Sequence, residues 1–252
     1  MLKRTFARFV EEWFRLTQFK INLWMLRDKI RYYRLMYNGR VLDIGAGTKP
    51  YRKLFPDVAE YIGTNTKRHY DINHIDPDLD TTDIWIEDGT KLPFTDSSFD
   101  GVVCFQVIPL IAQPAEFFKE VNRVLKPWGY FMLTSDYMYP VWSEEDFMRH
   151  SRNHLIKLAR ENGFIVLASE SFGGIFTTLY CMVIKYFRSY PERIRQVRNP
   201  FFKFWRILWL GIVMLMSPVS LVLGPFVYLI EKGKRRDYSY TMNQFLLVRK
   251  RL

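Results

Sequence analysis

Apolar and polar positions along the 252-residue chain change their period several times, and each change marks an element. Over residues 5–35, Phe6, Phe9, Val10, Trp13 and Phe14 fall at i, i+3, i+4, i+7 and i+8, with Arg4, Arg8, Glu11, Glu12 and Arg15 opposite, which predicts an amphipathic helix. Such a stripe serves equally to pack on a core or to lie on a membrane. Asn38-Gly39 interrupts it, and residues 40–44 form a short apolar run closed by glycines, the mark of a buried parallel strand. Comparable runs follow at 60–63, 84–86, 101–105, 130–134 and 164–167, with helical or loop material between them. This alternation predicts a parallel sheet covered on both faces by helices. A helix over 114–125 opens on Pro114, buries Phe117, Phe118, Val121, Val124 and Leu125 along one side, and stops at Pro127. Ser143 with Asp146 three residues later predicts a capping box, and Ser151 opens a further helix that Gly163 closes.

Residues 207–230, ILWLGIVMLMSPVSLVLGPFVYLI, carry no formal charge over 24 positions, long enough to cross a bilayer at about 1.5 Å per residue. Pro218 and Pro225, with Gly211 and Gly224, divide the run into two shorter helical pieces. Residues 240–248 then read as a strand. If that strand joins the central sheet, the chain must return to the side it left, which one crossing forbids. The expectation is a helical hairpin bent near Ser217-Pro218 that lies in or dips into one leaflet, with burial against the protein itself as the alternative.

Charge sharpens this picture only when divided along the chain. Residues 1–40 hold 10 Lys/Arg against 3 Asp/Glu, residues 41–184 hold 13 against 20, and residues 185–252 hold 14 against 3. An acidic centre lies between two basic ends that also carry Trp13, Trp24, Trp205 and Trp209, a mixture suited to an anionic membrane surface as much as to nucleic acid. Cys104 and Cys181 stand far apart with no CxxC or Cys/His cluster, which argues against a disulfide scaffold, an iron–sulfur site or a zinc finger, so no metal is expected. Glu11 and Glu12 interrupt the apolar start and no small-residue cleavage site follows, which argues against a secretory signal and for a cytoplasmic beginning.

The first strand runs into Asp43-Ile-Gly45-Ala46-Gly47-Thr-Lys-Pro50. Glycines in such a turn let a ligand approach the backbone closely. Pro50 stands where a G-x-G-x-x-G dinucleotide fingerprint needs its third glycine, so a nicotinamide or flavin dinucleotide is disfavoured. Asp43 suits the loop to a zwitterionic amino-acid ligand better than to a pyrophosphate. Further along come Tyr61-Ile-Gly-Thr-Asn65, then Glu87-Asp88-Gly89-Thr-Lys-Leu-Pro-Phe94 leading to Ser97-Ser-Phe-Asp100, then Val102 to Gln106, and Arg123-Val-Leu-Lys-Pro127.

With this ordered series the chain resembles the class I S-adenosylmethionine-dependent methyltransferases, most closely a type 11-like branch reading GxGTKPY, YIGxD, DGxxLPFxDxSFD, QVLEHxxxP and RVLKPGG, over roughly residues 40–175. The resemblance implies a Rossmann-like, doubly wound, mostly parallel seven-stranded sheet with its last strand antiparallel, flanked here by an N-terminal amphipathic helix and a C-terminal hydrophobic hairpin. It implies that Asp43, Gly45, Ala46 and Gly47 hold the methionine end of S-adenosylmethionine, that Asn65 stands at the ribose, that Asp88 beside Gly89 accepts from the adenine amine, and that Gln106 lines the sulfonium side. Asn65 replaces the usual Asp, Ile108-Pro109-Leu110 replaces the LEH acid and histidine, and Trp128-Gly129 replaces the paired glycines.

Methyl transfer from a sulfonium is an in-line displacement, and a base is needed only when the acceptor must lose a proton. No catalytic base is assigned. Candidates for contact with the acceptor follow the fifth strand: Tyr137, Tyr139, Trp142, Asp146, Arg149 and His150; if a base exists, its candidates there are Tyr137, Tyr139, Glu144, Glu145, Asp146, His150 and His154. Asp146 and Arg149 match the family's DxxR segment and read as an orienting pair. The expected organisation is a basic helical region over 1–38, a cofactor-binding core over 39–184, a basic and hydrophobic hairpin over 185–238, and a final strand over 239–252. The expected function is methylation of a hydrophobic or lipid-linked acceptor by a protein held on the cytoplasmic face of a membrane. Alternatives are a soluble small-molecule methyltransferase whose hairpin is a lid or dimer contact, and a non-catalytic membrane-associated relative. Nucleic acid is disfavoured, because the fourth strand is not followed by an NPPY-type loop for an extruded base and neither cysteine follows a proline.

Overall fold

The computed structural model describes residues 21–68, 80–141, 145–188, 199–232 and 240–252. The stripe from Phe6 to Phe14, and Trp142, Ser143 and Glu144, lie outside the described residues. The chain parts into two compact units, one of Leu26–Phe172 with Thr241–Leu252, the other of Met1–Met25 with Gly173–Tyr240. The divisions fall at 25/26, 172/173 and 240/241, against 38/39, 184/185 and 238/239 in the sequence reading.

The first unit is a seven-stranded sheet: β1 (Gly39–Ile44), β2 (Val58–Thr66), β3 (Ile84–Ile86), β4 (Phe99–Phe105), β5 (Leu125–Asp136), β6 (Phe164–Phe172) and β7 (Asn243–Lys250). Its order is β3-β2-β1-β4-β5-β7-β6. Pairs from β3 through β5 are parallel, and β7 runs antiparallel to both β5 and β6, as the resemblance implies.

Strand alternation assigns the two faces. Leu246 and Val248 of β7 join the core that includes Phe117, Phe118, Val121 and Val124 of α2 (Pro114–Val124) and Leu155, Leu158 and Ala159 of α3 (Arg152–Glu161). Phe245, one position along, points to the other face and stacks on Tyr33 of α1 (Ile21–Tyr33) at 5.1 Å between centroids. On the α2/α3 face Phe118, Phe131 and Phe164 meet edge-on or tilted at 5.5 to 6.2 Å, geometry that adds to their burial. α2 ends at Val124 with β5 following at once, one residue earlier than the sequence pattern places it.

The predicted Ser143/Asp146 capping box is not a helix start: residues 145–151 are irregular, and α3 opens at Arg152 with the Ser151 side chain accepting from His154 N. Asp146 is instead drawn into a bidentate pair with Arg149, a charge-assisted partner stronger than a cap.

The second unit contains α4 (Ile175–Arg188), α5 (Pro200–Met216), a 3-10 turn Ser217–Val219 and α6 (Ser220–Lys232). The bend falls at Ser217-Pro218, but Pro225 does not divide the second arm and sits inside α6. The Glu231 carboxylate accepts from the backbone N–H groups of Gly174 (2.5 Å), Phe176 (3.0 Å) and Thr177 (3.4 Å), at the start of α4, which ties the end of the hairpin to that helix.

Candidate active site

β1 lies where the strand order reverses, between β2 and β4, and a doubly wound sheet opens its ligand crevice beyond the strand ends at that point. The chain leaves β1 through Gly45 (φ +72°), Gly47 (φ +54°) and Lys49 (φ +52°). Gly45 N and Ala46 N both donate to Thr64 O of β2, at 2.9 and 3.0 Å, so the loop folds back over its neighbour. A Cβ at Gly45 would stand 2.4 Å from Val107 Cγ2, whereas the same atom at Gly47 would meet nothing within 4 Å.

Beyond these strand ends opens a cavity of about 400 Å3, lined by residues of the loops after β1, β2, β3 and β4. Its apolar walls are Ile44, Ile86, Val107, Leu110 and Ile111; its polar groups include Asn65, Asp88 and Arg68. Asp88 is exposed, and its Oδ1 accepts from Thr90 N at 2.5 Å and from the Thr90 hydroxyl, a turn that fixes the carboxylate. A side chain at Gly89 would press on Phe117 and Ile111 at 3.1 and 3.3 Å, so the floor there must stay bare.

Gly45, Asn65, Asp88 and Gly89 of the expected cofactor residues line the cavity; Asp43, Ala46, Gly47 and Gln106 stand behind or beside it. Asp43 is 1% exposed and accepts from Tyr61 Oη at 2.6 Å. Burial pushes its carboxyl up to about 7, against the pull of the Tyr61 hydrogen bond and of Lys49. Gln106 holds φ +62°, donates through Nε2 to Asn243 Oδ1 at 2.8 Å, and among the described residues leaves its buried Oε1 without a partner. Asn65 is the most committed of the set, its Nδ2 donating to Gly47 O and to Thr82 Oγ1 and its Oδ1 accepting from Gly47 N.

None of Tyr137, Tyr139, Asp146, Arg149 and His150 lines the cavity; the same segment contributes Glu145 and Phe147. Tyr137 N donates to Met242 O, and the Tyr139 carbonyl faces the Arg149 guanidinium. His150 is fully buried, its Nδ1 3.2 Å from His154 Nδ1, and burial together with His154 pushes its imidazole down to about 4. The histidine is therefore neutral near pH 7.

Sequence reasoning missed Lys49, Thr82, Asp83 and Arg68. Asp83 accepts from Gly63 N at 2.7 Å and pairs with Lys49, bracing the ends of β1 and β2, and Arg68 pairs with Glu145 at the cavity wall. A Thr-Asp pair just before a short strand was the only sequence signal for the brace.

These residues fit an adenosyl group on three counts. Apolar side chains line the cavity, a carboxylate fixed by its own turn is among its polar groups, and the place of a Gly47 side chain is open space. One expectation narrows: the N–H groups of Gly45, Ala46 and Gly47 already have protein acceptors, so the loop offers close approach more than free donors.

Residues 42–133 match a family described as a methyltransferase domain, Methyltransf_11. The chain is 33% identical over 117 residues to a "probable S-adenosylmethionine-dependent methyltransferase" of Mycolicibacterium smegmatis, covering 45% of this chain and 46% of that protein. It is 33% identical over 124 residues to the uncharacterised methyltransferase YcgJ of Bacillus subtilis, covering 47% of each. The chain thus spans about half the length of the curated relatives it matches. In fold it is similar to the [4+2]-cyclase SpnF (TM-score 0.55, 17% identity, 90% of this chain and 81% of that one). It is similar also to Haemonchus contortus phosphoethanolamine N-methyltransferase 2 in complex with S-adenosyl-L-methionine (TM-score 0.53, 18% identity, 91% and 53%). Both likenesses concern the fold alone. Residues 42–133 thus match a methyltransferase domain of the type 11 group, and over about half its length the chain is similar to S-adenosylmethionine-dependent methyltransferases.

Proposed function

We propose that this chain transfers a methyl group from S-adenosylmethionine to a hydrophobic or lipid-linked acceptor at the cytoplasmic face of a membrane. The observation that carries the first half is the cavity at the strand-order reversal, with Asp88 and Asn65 in its wall between apolar faces. Bound there, S-adenosylmethionine supplies an electrophilic methyl on a sulfonium. Asp88 accepts from the adenine amine, Asn65 Oδ1 offers its remaining lone pair to a ribose hydroxyl, and Gln106 Oε1 is the unpartnered acceptor on the sulfonium side. Asp43, with Lys49 nearby, stands as a buried carboxyl behind the methionine end. His150, neutral and buried, holds its loop beside Ile108-Pro109-Leu110 and is not positioned as a base on the cavity wall. The chain's contribution is alignment, which suits an acceptor that is already nucleophilic.

The second half rests on the hairpin unit, whose uncharged arms carry large exposed apolar side chains between basic segments. Calorimetric titration of detergent-solubilised protein with S-adenosylmethionine and its demethylated product tests the cofactor site. Saturable binding that Asp88→Ala weakens at least tenfold supports it; well-folded protein that binds neither ligand sinks it. Transfer of labelled methyl into a lipid extract, and not into its water-soluble fraction, tests the acceptor class.

A further inference from the structure

The chain leaves the sheet at Phe172 and re-enters it at Thr241, and these points touch: Thr241 Oγ1 donates to Phe172 O at 3.1 Å, and Phe172 pairs with Asn243 in the β6–β7 ladder. Everything in Gly173–Tyr240 is therefore a detour with its two ends side by side. Such a detour crosses a bilayer an even number of times or not at all. α5 has 17 residues and α6 has 13, about 26 and 20 Å at 1.5 Å per residue, and neither covers a hydrocarbon core of about 30 Å. Among the described residues no helix is long and apolar enough to cross a membrane.

The surface of these arms says what covers them. A helix that packs on a protein partner exposes one apolar stripe and keeps its other side polar. On α5, Phe204, Trp205, Ile207, Leu208 and Trp209 are 47% to 62% exposed and at about 100° per residue span more than half of the circumference, wider than one stripe, while Leu210 on the remaining side is buried. In the sequence the charges flank the uncharged stretch and do not interrupt it. Lys203 and Arg206 precede the uncharged stretch and Lys232, Lys234, Arg235 and Arg236 follow it, with none between 207 and 230. Trp205 and Trp209 stand next to the first pair, the level at which amphipathic rings meet lipid headgroups.

From this we infer that the hairpin over 200–232 is a single-leaflet anchor, its apex around Leu215 to Val222 buried among acyl chains and its cationic feet on anionic headgroups. The inference deepens the membrane half of the proposed function and rests on it, but is independent of methyl transfer.

The test uses the full chain with vesicles of phosphatidylcholine, with and without phosphatidylglycerol. The expected result is flotation with the anionic vesicles, weaker by about tenfold without phosphatidylglycerol. Leu215 and Val222 are 79% and 73% exposed, so Leu215→Arg/Val222→Arg folds and binds S-adenosylmethionine as the parent does, yet stays unbound. Leu215→Cys on the vesicles is protected from a membrane-impermeant thiol reagent supplied outside, and equally from reagent trapped in the lumen. Labelling from the lumen overturns the single-leaflet geometry in favour of crossing. Undiminished flotation of the double arginine variant overturns insertion of the apex. A detergent-free protein that stays unbound to either kind of vesicle and runs as a dimer overturns the bilayer as occupant. Loss of methyl transfer to lipid with flotation intact defeats only the proposed acceptor, and failure to bind S-adenosylmethionine with flotation intact defeats only the cofactor site.

Discussion

Asn65 and Gly47 exchange two hydrogen bonds across the first loop of the sheet: Gly47 N donates to Asn65 Oδ1 at 2.8 Å, and Asn65 Nδ2 donates to Gly47 O at 3.0 Å. The second Nδ2 proton goes to Thr82 Oγ1 at 2.7 Å. A carboxylate accepts but does not donate, so the usual Asp at this place reproduces only the first bond. The amide is thus a clasp that closes the glycine loop, and its cost is the charge that a ribose would otherwise meet.

Two substitutions separate clasp from ligand. Asn65→Asp loses both donor bonds and lowers unfolding free energy by about 1–3 kcal/mol, while its charge-assisted acceptor keeps affinity for S-adenosylmethionine at or above the parental value. Asn65→Ala loses all three bonds and binds at least about tenfold more weakly. Thermal unfolding and calorimetry on the same preparations read both quantities. Parental affinity in the alanine variant would remove Asn65 from the site.

Gly45 is fixed twice, by its positive φ and by Val107. Gly45→Ala costs about 1–2 kcal/mol for the left-handed backbone and about 1–3 kcal/mol for the methyl 2.4 Å from Val107 Cγ2. Adding Val107→Ala relieves the second cost and leaves the first. A double-mutant cycle by denaturant unfolding should show coupling of about 1 kcal/mol or more, and strict additivity would contradict the close approach.

Asp43 makes stability depend on pH in a definite direction. Its folded carboxyl titrates near 7, against 3.8 when unfolded, so the folded state holds the proton more tightly and stability falls as pH rises from about 4 through 7. Asp43→Asn removes the ionisation and lets the side-chain oxygen keep accepting from Tyr61. Its stability relative to the parent should be unchanged near pH 4, climb between 4 and 7, and level off above 7. At about 1.4 kcal/mol per tenfold of proton affinity, roughly 4 kcal/mol is the ceiling. A flat difference between pH 4 and pH 8 would mean that the buried carboxyl is not held protonated.

The strands were legible because each is a short apolar run stopped by glycine or a polar cluster, and the motif order carried the cofactor site. What sequence could not convey depends on long-range closure. The Asn65 clasp requires positions 18 apart to meet, and the burial that silences His150 depends on its loop folding against residues near 108. The Ser143/Asp146 pattern misled because a cap competes with any nearby cation, and Arg149 lies three positions on. Pro225 misled in the other direction, because α6 runs through it from Ser220 to Lys232.

Glu231 holds the hairpin unit by its charge. Glu231→Gln keeps one acceptor oxygen for the N–H groups at the start of α4 but loses the interaction with the positive end of that helix, for about 1 kcal/mol of that unit's stability. S-adenosylmethionine affinity should not move, because none of the cavity-lining residues belongs to that unit. Weakened cofactor binding in this variant would show that the two units are energetically coupled.

The strand that completes the sheet follows the hairpin in the chain, which fixes an order of events during synthesis. β7 zips between β5 and β6 only after all of Gly173–Tyr240 has left the ribosome, and until then both neighbours present unpaired edges. The greasiest stretch of the polypeptide is consequently in solution while the sheet is still unfinished. Early capture of the hairpin by lipid would tether the nascent protein and let the sheet close at the bilayer surface, so that attachment precedes the ability to bind cofactor.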